Sequence, residues 1–237
     1  MTSSKTSPSS TWRPATRQLH AGLERTEYGE TSEALFLTSG FVYDNAEQAA
    51  ATFRNEITHY QYSRFGNPTV AALERRLADL EGAEACIATS TGMGAVSSAL
   101  LSHVKAGERV VASRALFGSC YWIVANLLPR YGVEIEFVDG TDLPQWERAL
   151  SRPTAAVLLE SPSNPMLDTL DIAAIPALAH KAAAIVVVHN VFVPPLYQKP
   201  LELRADVFVY SYTQHIDCQR LALAGAVLGS AACISNP

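Results

Sequence analysis

The sequence predicts an α/β protein built on a mostly parallel sheet of about seven strands with helices on both faces. Three observations predict it. Short apolar runs recur from Ala85 to the end of the chain without the polar alternation of a half-exposed strand. Segments of helical spacing separate most of these runs. No linker interrupts the pattern between Pro68 and Gly229.

Met1 to Ser10 is rich in Ser and Thr and lacks an apolar core, so it reads as a loose tail rather than a signal peptide. Residues 1–60 read as an irregular N-terminal arm with one helix, about Ala46 to Asn55, that Asp44 or Asn45 can cap. A second helix is bounded more sharply. Asn67 caps it, Pro68 fits its first turn, and Gly82 stops it. Leu73, Leu77 and Leu80 share one face and are expected to be buried. Strands then follow at Ala85–Thr89, Val110–Ala112, Val133–Val138, Ala156–Leu159, Ile185–Val188, Val207–Val209 and Gly225–Leu228. The helices between them are expected at Met93–Lys105, Ser119–Tyr131, Pro144–Leu150 and Ile172–Ala182. Residues 61–237 therefore read as one main domain behind the arm.

Composition excludes several classes. Among 237 residues, 48% are hydrophobic and 17% charged, which is globular rather than disordered. A net charge of −5 without any basic run offers nothing to nucleic acid. The longest apolar run, Ala182 to Val188, is too short to cross a bilayer. No membrane partner is expected, and a cytoplasmic location is. Cys86, Cys120, Cys218 and Cys233 show no metal spacing, so they read as reduced packing residues and no metal is expected.

The stretch from Ala205 to Gly229 holds a buried strand that ends in Ser211 and Thr213, small hydroxyls where ligands of α/β sheets gather. The turn Thr89-Ser90-Thr91-Gly92-Met93-Gly94 joins a strand to a helix, and its N–H groups and helix dipole suit an anion. It is neither a Walker loop nor a dinucleotide fingerprint, and a bare turn explains it equally well. Tyr62-Ser63-Arg64 could clamp a phosphate or form a solvated loop. Glu160-Ser161-Pro162-Ser163-Asn164-Pro165 aims Asn164 from a strand's end, for ligand contact or for loop shape. His189 closes the run AIVVV, as a site group or as a satisfied core imidazole.

In order, the segments TRQLHAG, YSRFGNPT, TSTGMGAV, SRALFGS, ESPSNP, VVVHNVF and YSYTQHIDCQ resemble the cysteine/methionine-metabolism, or transsulfuration, family of pyridoxal-phosphate enzymes. The likeness is greatest to the O-succinylhomoserine and O-acetylhomoserine sulfhydrylases of methionine biosynthesis, with cystathionine γ-synthase second. The resemblance implies the large domain of a fold-type I transferase or lyase, acting on a small amino-acid substrate as a homodimer or homotetramer. It implies phosphate contacts from Gly92, Met93, Ser211 and Thr213, with Tyr62 and Arg64 reaching the same phosphate from a neighbouring subunit. Phe117 would stack on the pyridine ring and Asn164 would lie beside its substituents.

The chain departs from the family pattern in four ways. Gln214 stands in place of the Schiff-base lysine, and an amide nitrogen forms no imine because its lone pair is delocalised. The four lysines, Lys5, Lys105, Lys181 and Lys199, offer no obvious substitute. His189 replaces the aspartate that faces the pyridine nitrogen. Cys218 and Arg220 replace expected glycines. The family's C-terminal domain is not included, which reads as truncation. The expectation is a catalytically impaired protein that binds pyridoxal phosphate non-covalently if at all. The alternative is a non-catalytic partner that dimerises with a complete homologue.

Overall fold

The computed structural model describes residues 11–217, 219 and 221–235. The two expected glycine positions, Cys218 and Arg220, lie outside the described residues, as does the tail. The chain divides into two compact units, 1–79 and 80–237.

Seven strands of the second unit form one sheet. They are β1 (Ala85–Thr89), β2 (Arg109–Ser113), β3 (Glu134–Val138), β4 (Ala156–Glu160), β5 (Ile185–His189), β6 (Val207–Ser211) and β7 (Gly225–Gly229). Their order is β1-β7-β6-β5-β4-β2-β3. The pairs from β3 through β2, β4 and β5 to β6 are parallel. Only β7 runs against its neighbours β6 and β1. Strands β1, β2, β4, β5 and β6 consequently all end at the same edge of the sheet, with β3 beside them.

The helices cover both faces, as alternation along the strands shows. On one face Val110, Ala112, Leu158, Val187 and Val209 pack with Ala95, Val96, Ala99 and Leu100 of α4 (Gly92–Leu101) and with Cys120 of α5 (Gly118–Trp122). On the other, Val111, Val157, Val186, Val188 and Phe208 are as fully buried. There α6 (Leu143–Ala149) contacts α7 (Ala174–Lys181), which packs against β5. Trp146 of α6 is completely buried, and its indole N–H donates to the Gly140 carbonyl at 3.0 Å. Runs without a polar face follow directly from this double cover.

One expected helix is subdivided. Residues 118–131 run as α5, then a π-helical turn at Ile123–Leu127, then a 3-10 turn at Leu128–Tyr131 that Gly132 ends. The apolar spacing of the segment is helical throughout, and spacing alone does not reveal the hydrogen-bond register.

In the first unit, α1 (Pro14–His20) and α2 (Ala46–Phe53) precede α3 (Pro68–Glu81), which crosses the division. Asn45 caps α2 by accepting from the Gln48 N–H at 2.7 Å. Asn67 accepts from the Thr69 N–H at 2.8 Å, and Gly82 past the end of α3 takes φ +72°, the left-handed conformation of a helix stop. The expected apolar stripe is only partly buried. Leu77 is 4% exposed, but Leu73 is 38% exposed. Arg17 bonds the Asp79 carboxylate and carbonyl, and Arg76 bonds Glu33. Among the described residues no helix is long and apolar enough to cross a membrane.

Candidate active site

The shared strand edge of the second unit gathers most of the candidate residues. Gly92 and Met93 open α4 just after β1, and Thr91 caps that helix by accepting from the Gly94 N–H at 2.9 Å. The N–H groups of Gly92 and Met93 belong to the first turn, where no intrahelical carbonyl is available to accept from them. Gly92 lies directly against the end of β6. A Cβ at Gly92 would stand 2.5 Å from Ser211 Cβ and 2.9 Å from Ser211 Oγ, so only glycine fits there. The hydroxyls of Ser211 and Thr213 make no hydrogen bond to other described residues, and Ser211 does not cap the short helix α8 (Tyr212–His215). Two backbone donors at a helix N-terminus with the Ser211 hydroxyl beside them suit a phosphate dianion.

A second group is tied together by Glu160, the fully buried last residue of β4. Its Oε2 accepts from the Phe117 N–H at 2.7 Å, and its Oε1 accepts from the Asn164 N–H at 3.1 Å. His189 Nδ1 stands 3.1 Å from Oε2 and 3.7 Å from Cys120 Sγ. Three residues from separate segments thus converge on one carboxylate: Phe117, Asn164 and His189. Phe117 remains partly exposed, so its aromatic side chain is accessible to a ligand. The peptide bonds before Pro162 and Pro165 are cis and shape the loop that carries Asn164.

Cys120, Glu160 and His189 place three ligand-type atoms within 4.8 Å of one another, a cluster that sequence spacing does not reveal. Its chemistry is that of a hydrogen-bonded core. Two amide donors already occupy Glu160, and burial beside that carboxylate pushes the Cys120 thiol up, so it stays protonated.

Gln214 lies on α8, past the end of β6. Its side-chain oxygen is buried and has no hydrogen-bond partner among the described residues. Tyr62 and Arg64 belong to the first unit. The Arg64 guanidinium sits over the Tyr62 ring at 5.4 Å and over Phe65 at 4.9 Å, and Tyr62 is about half exposed.

Sequence reasoning missed the role of Glu160, although a carboxylate closing the apolar run AVLLE was a signal, since a buried charge demands partners. It also missed a polar chain behind the site. Asn190, next to His189, donates to Tyr210 Oη at 2.8 Å, and Tyr210 donates to Glu81. Gln198 donates to Asn190 at 2.7 Å and to the Ser161 carbonyl at 3.0 Å.

Anion donors and a ring-sized aromatic face at the carboxyl edge of a mostly parallel sheet define an α/β protein of the fold-type I, pyridoxal-phosphate class. The sequence profile of the Cys/Met metabolism PLP-dependent enzymes matches residues 15–236, and the chain belongs to that family. It is 52% identical over 223 residues to an O-succinylhomoserine sulfhydrylase of Mycobacterium tuberculosis (strain ATCC 25618 / H37Rv), covering 94% of this chain and 55% of that protein. It is 41% identical over 214 residues to an L-methionine gamma-lyase of Fusobacterium nucleatum subsp. polymorphum, covering 90% and 54%. Among solved structures, a putative O-acetylhomoserine (thiol)-lyase of Campylobacter jejuni superposes with a TM-score of 0.89 at 28% identity, over 94% of this chain and 55% of that one. The chain spans about half the length of the curated relatives it matches.

Against pyridoxal phosphate the residues divide. The phosphate end fits, because Gly92 and Met93 present N–H groups and Ser211 and Thr213 present unengaged hydroxyls. For the ring, Phe117 offers a partly exposed aromatic side chain. For the aldehyde end, position 214 offers a carboxamide, which forms no imine.

Proposed function

We propose that this chain is a pyridoxal-phosphate-binding protein of the O-succinylhomoserine sulfhydrylase type that holds the cofactor without a covalent bond and is catalytically impaired. The observation that carries the reading is Gln214. The Campylobacter relative is described with a pyridoxyl-lysine, so in that protein a lysine bears the cofactor. Here the side chain on α8 is an amide with a buried, unpartnered oxygen.

When bound, the cofactor supplies an electron sink for the α-carbon of an amino acid. The chain's own groups supply binding and orientation. Gly92, Met93, Ser211 and Thr213 anchor the phosphate, Phe117 covers the ring, and Asn164 borders it. The Gln214 side chain neither accepts nor returns a substrate proton, because an amide has no useful basicity at neutral pH. The substrate class is an O-acyl-homoserine, with the succinyl ester favoured by the 52% identity to the mycobacterial protein.

The test is addition of pyridoxal phosphate to the purified chain, with an absorption scan, borohydride reduction and peptide mass analysis. Saturable binding with no pyridoxyl mass on any peptide is expected. A pyridoxyl group fixed to Lys5, Lys105, Lys181 or Lys199 overturns the reading, as does sulfide-dependent turnover of O-succinylhomoserine at the rate of a complete sulfhydrylase.

A further inference from the structure

We propose that Glu160 and His189 work as a dyad in which Glu160 holds the proton on His189 Nδ1, so that Nε2 is presented as the hydrogen-bond acceptor for a protonated ring nitrogen of the bound cofactor. The inference rests on the cofactor reading above and specifies how its pyridine end is held.

The geometry dictates the tautomer. An ionised carboxylate only accepts hydrogen bonds, so a nitrogen 3.1 Å from Glu160 Oε2 must carry a hydrogen, or two lone pairs would face each other in a buried site. Cys120 Sγ, at 3.7 Å, is the more distant and weaker neighbour of the same nitrogen. His189 Nε2, across the ring, makes no hydrogen bond to any described residue, although His189 is only 3% exposed. Nε2 is not one of the fully buried unpartnered atoms, so it keeps an accessible side from which a ligand can reach it. With one ring hydrogen held on Nδ1 by Glu160, Nε2 offers its lone pair, and the partner that suits it is a donor.

Glu160 is well placed to impose this choice. Its two oxygens accept from Phe117 and Asn164, whose backbones belong to the segments flanking the cofactor ring in the reading above. The same carboxylate therefore sets the position of the ring's cover, its neighbour and its nitrogen partner. Glu160 is a positioning residue here, and it acts through His189.

The experiment uses 4-deoxypyridoxine 5′-phosphate labelled with 15N in the ring. It lacks the aldehyde and so needs no lysine. Imidazole 15N spectra of the ligand-free chain are expected to show His189 as the Nδ1–H tautomer. The bound ligand's ring nitrogen is expected at its protonated shift. Glu160→Gln should move His189 toward the other tautomer and the ligand nitrogen toward its unprotonated shift, with affinity about tenfold weaker, the scale of one charge-assisted hydrogen bond. His189→Asp should restore a protonated ring nitrogen even beside Glu160→Gln, because it places a carboxylate directly against the ring. An Nε2–H tautomer in the unsubstituted chain overturns the dyad, and that measurement stands even if Glu160→Gln fails to fold. Binding with an unprotonated ring nitrogen overturns it too. No binding of the probe overturns the cofactor reading itself, and the dyad's role with it.

Discussion

At the scale of single residues, the chemistry turns on two positions. Gln214→Lys returns a primary amine to α8 and is expected to yield a borohydride-fixed pyridoxyl adduct on the substituted residue, read by peptide mass. It is not expected to restore sulfhydrylation, because in the proposed arrangement His189 faces the ring nitrogen and an imidazole acceptor stabilises a protonated ring less than a carboxylate does. Appreciable turnover by that single variant would show that the histidine is not a defect. The other position is Gly92, where a methyl group would stand 2.5 Å from Ser211 Cβ. Gly92→Ala should cost about 1–3 kcal/mol of stability, from overpacking, in a denaturant titration. It should also lower phosphate affinity, since the loop must move off β6. Gln214, Gly92 and Ser211 were all legible as candidate site residues from their motifs. Glu160 was not, because its partners come from residues 117, 164 and 189, and no local pattern announces a convergence over that distance.

At the scale of elements, the last residue of α3, already inside the second unit, meets β6 through a polar contact. Tyr210 donates to Glu81, and the second oxygen of Glu81 is buried without a partner. Burial raises the Glu81 carboxyl from 4.5 to about 7, outweighing the Tyr210 hydrogen bond and Lys199, both of which favour the charged form, while Glu202 opposes it. The unfolded chain ionises this group near pH 4.5 and the folded chain only near 7, so between those values the folded state holds the additional proton. Stability should accordingly fall as pH rises through that window, by roughly 3 kcal/mol in all, and level off above it. Glu81→Gln should flatten the slope in urea titrations from pH 5 to 8. A slope unchanged by the substitution would assign the effect elsewhere. Element boundaries were mostly legible, since β-branched runs closed by polar residues place strands to within a residue or two. The π-helical and 3-10 turns after α5 were not, and neither was the exposure of Leu73, because spacing marks a helix face but not what covers it.

At the scale of the whole molecule, the order of the sheet was the least legible feature. The last strand, β7, inserts antiparallel between β6 and β1 and pairs Leu228 with Cys86. No nearest-neighbour rule along the chain predicts a partnership so remote in sequence. The arrangement leaves the two rims of the sheet unlike each other. On β3, Glu134 and Glu136 engage Arg152 and Arg109, so that flank bristles with fixed charge and repels a foreign strand. On β1 the five residues ACIAT carry no charge, and Ile87 is 47% exposed. Self-association on heating should therefore begin at β1, and Ile87→Lys should delay the onset of light scattering without shifting the melting temperature by more than a few degrees. A protein with one guarded flank and one bare one has a single edge to offer, so β1 of one copy meets β1 of another and the growth stops there: the first aggregates on heating should be pairs, not fibres.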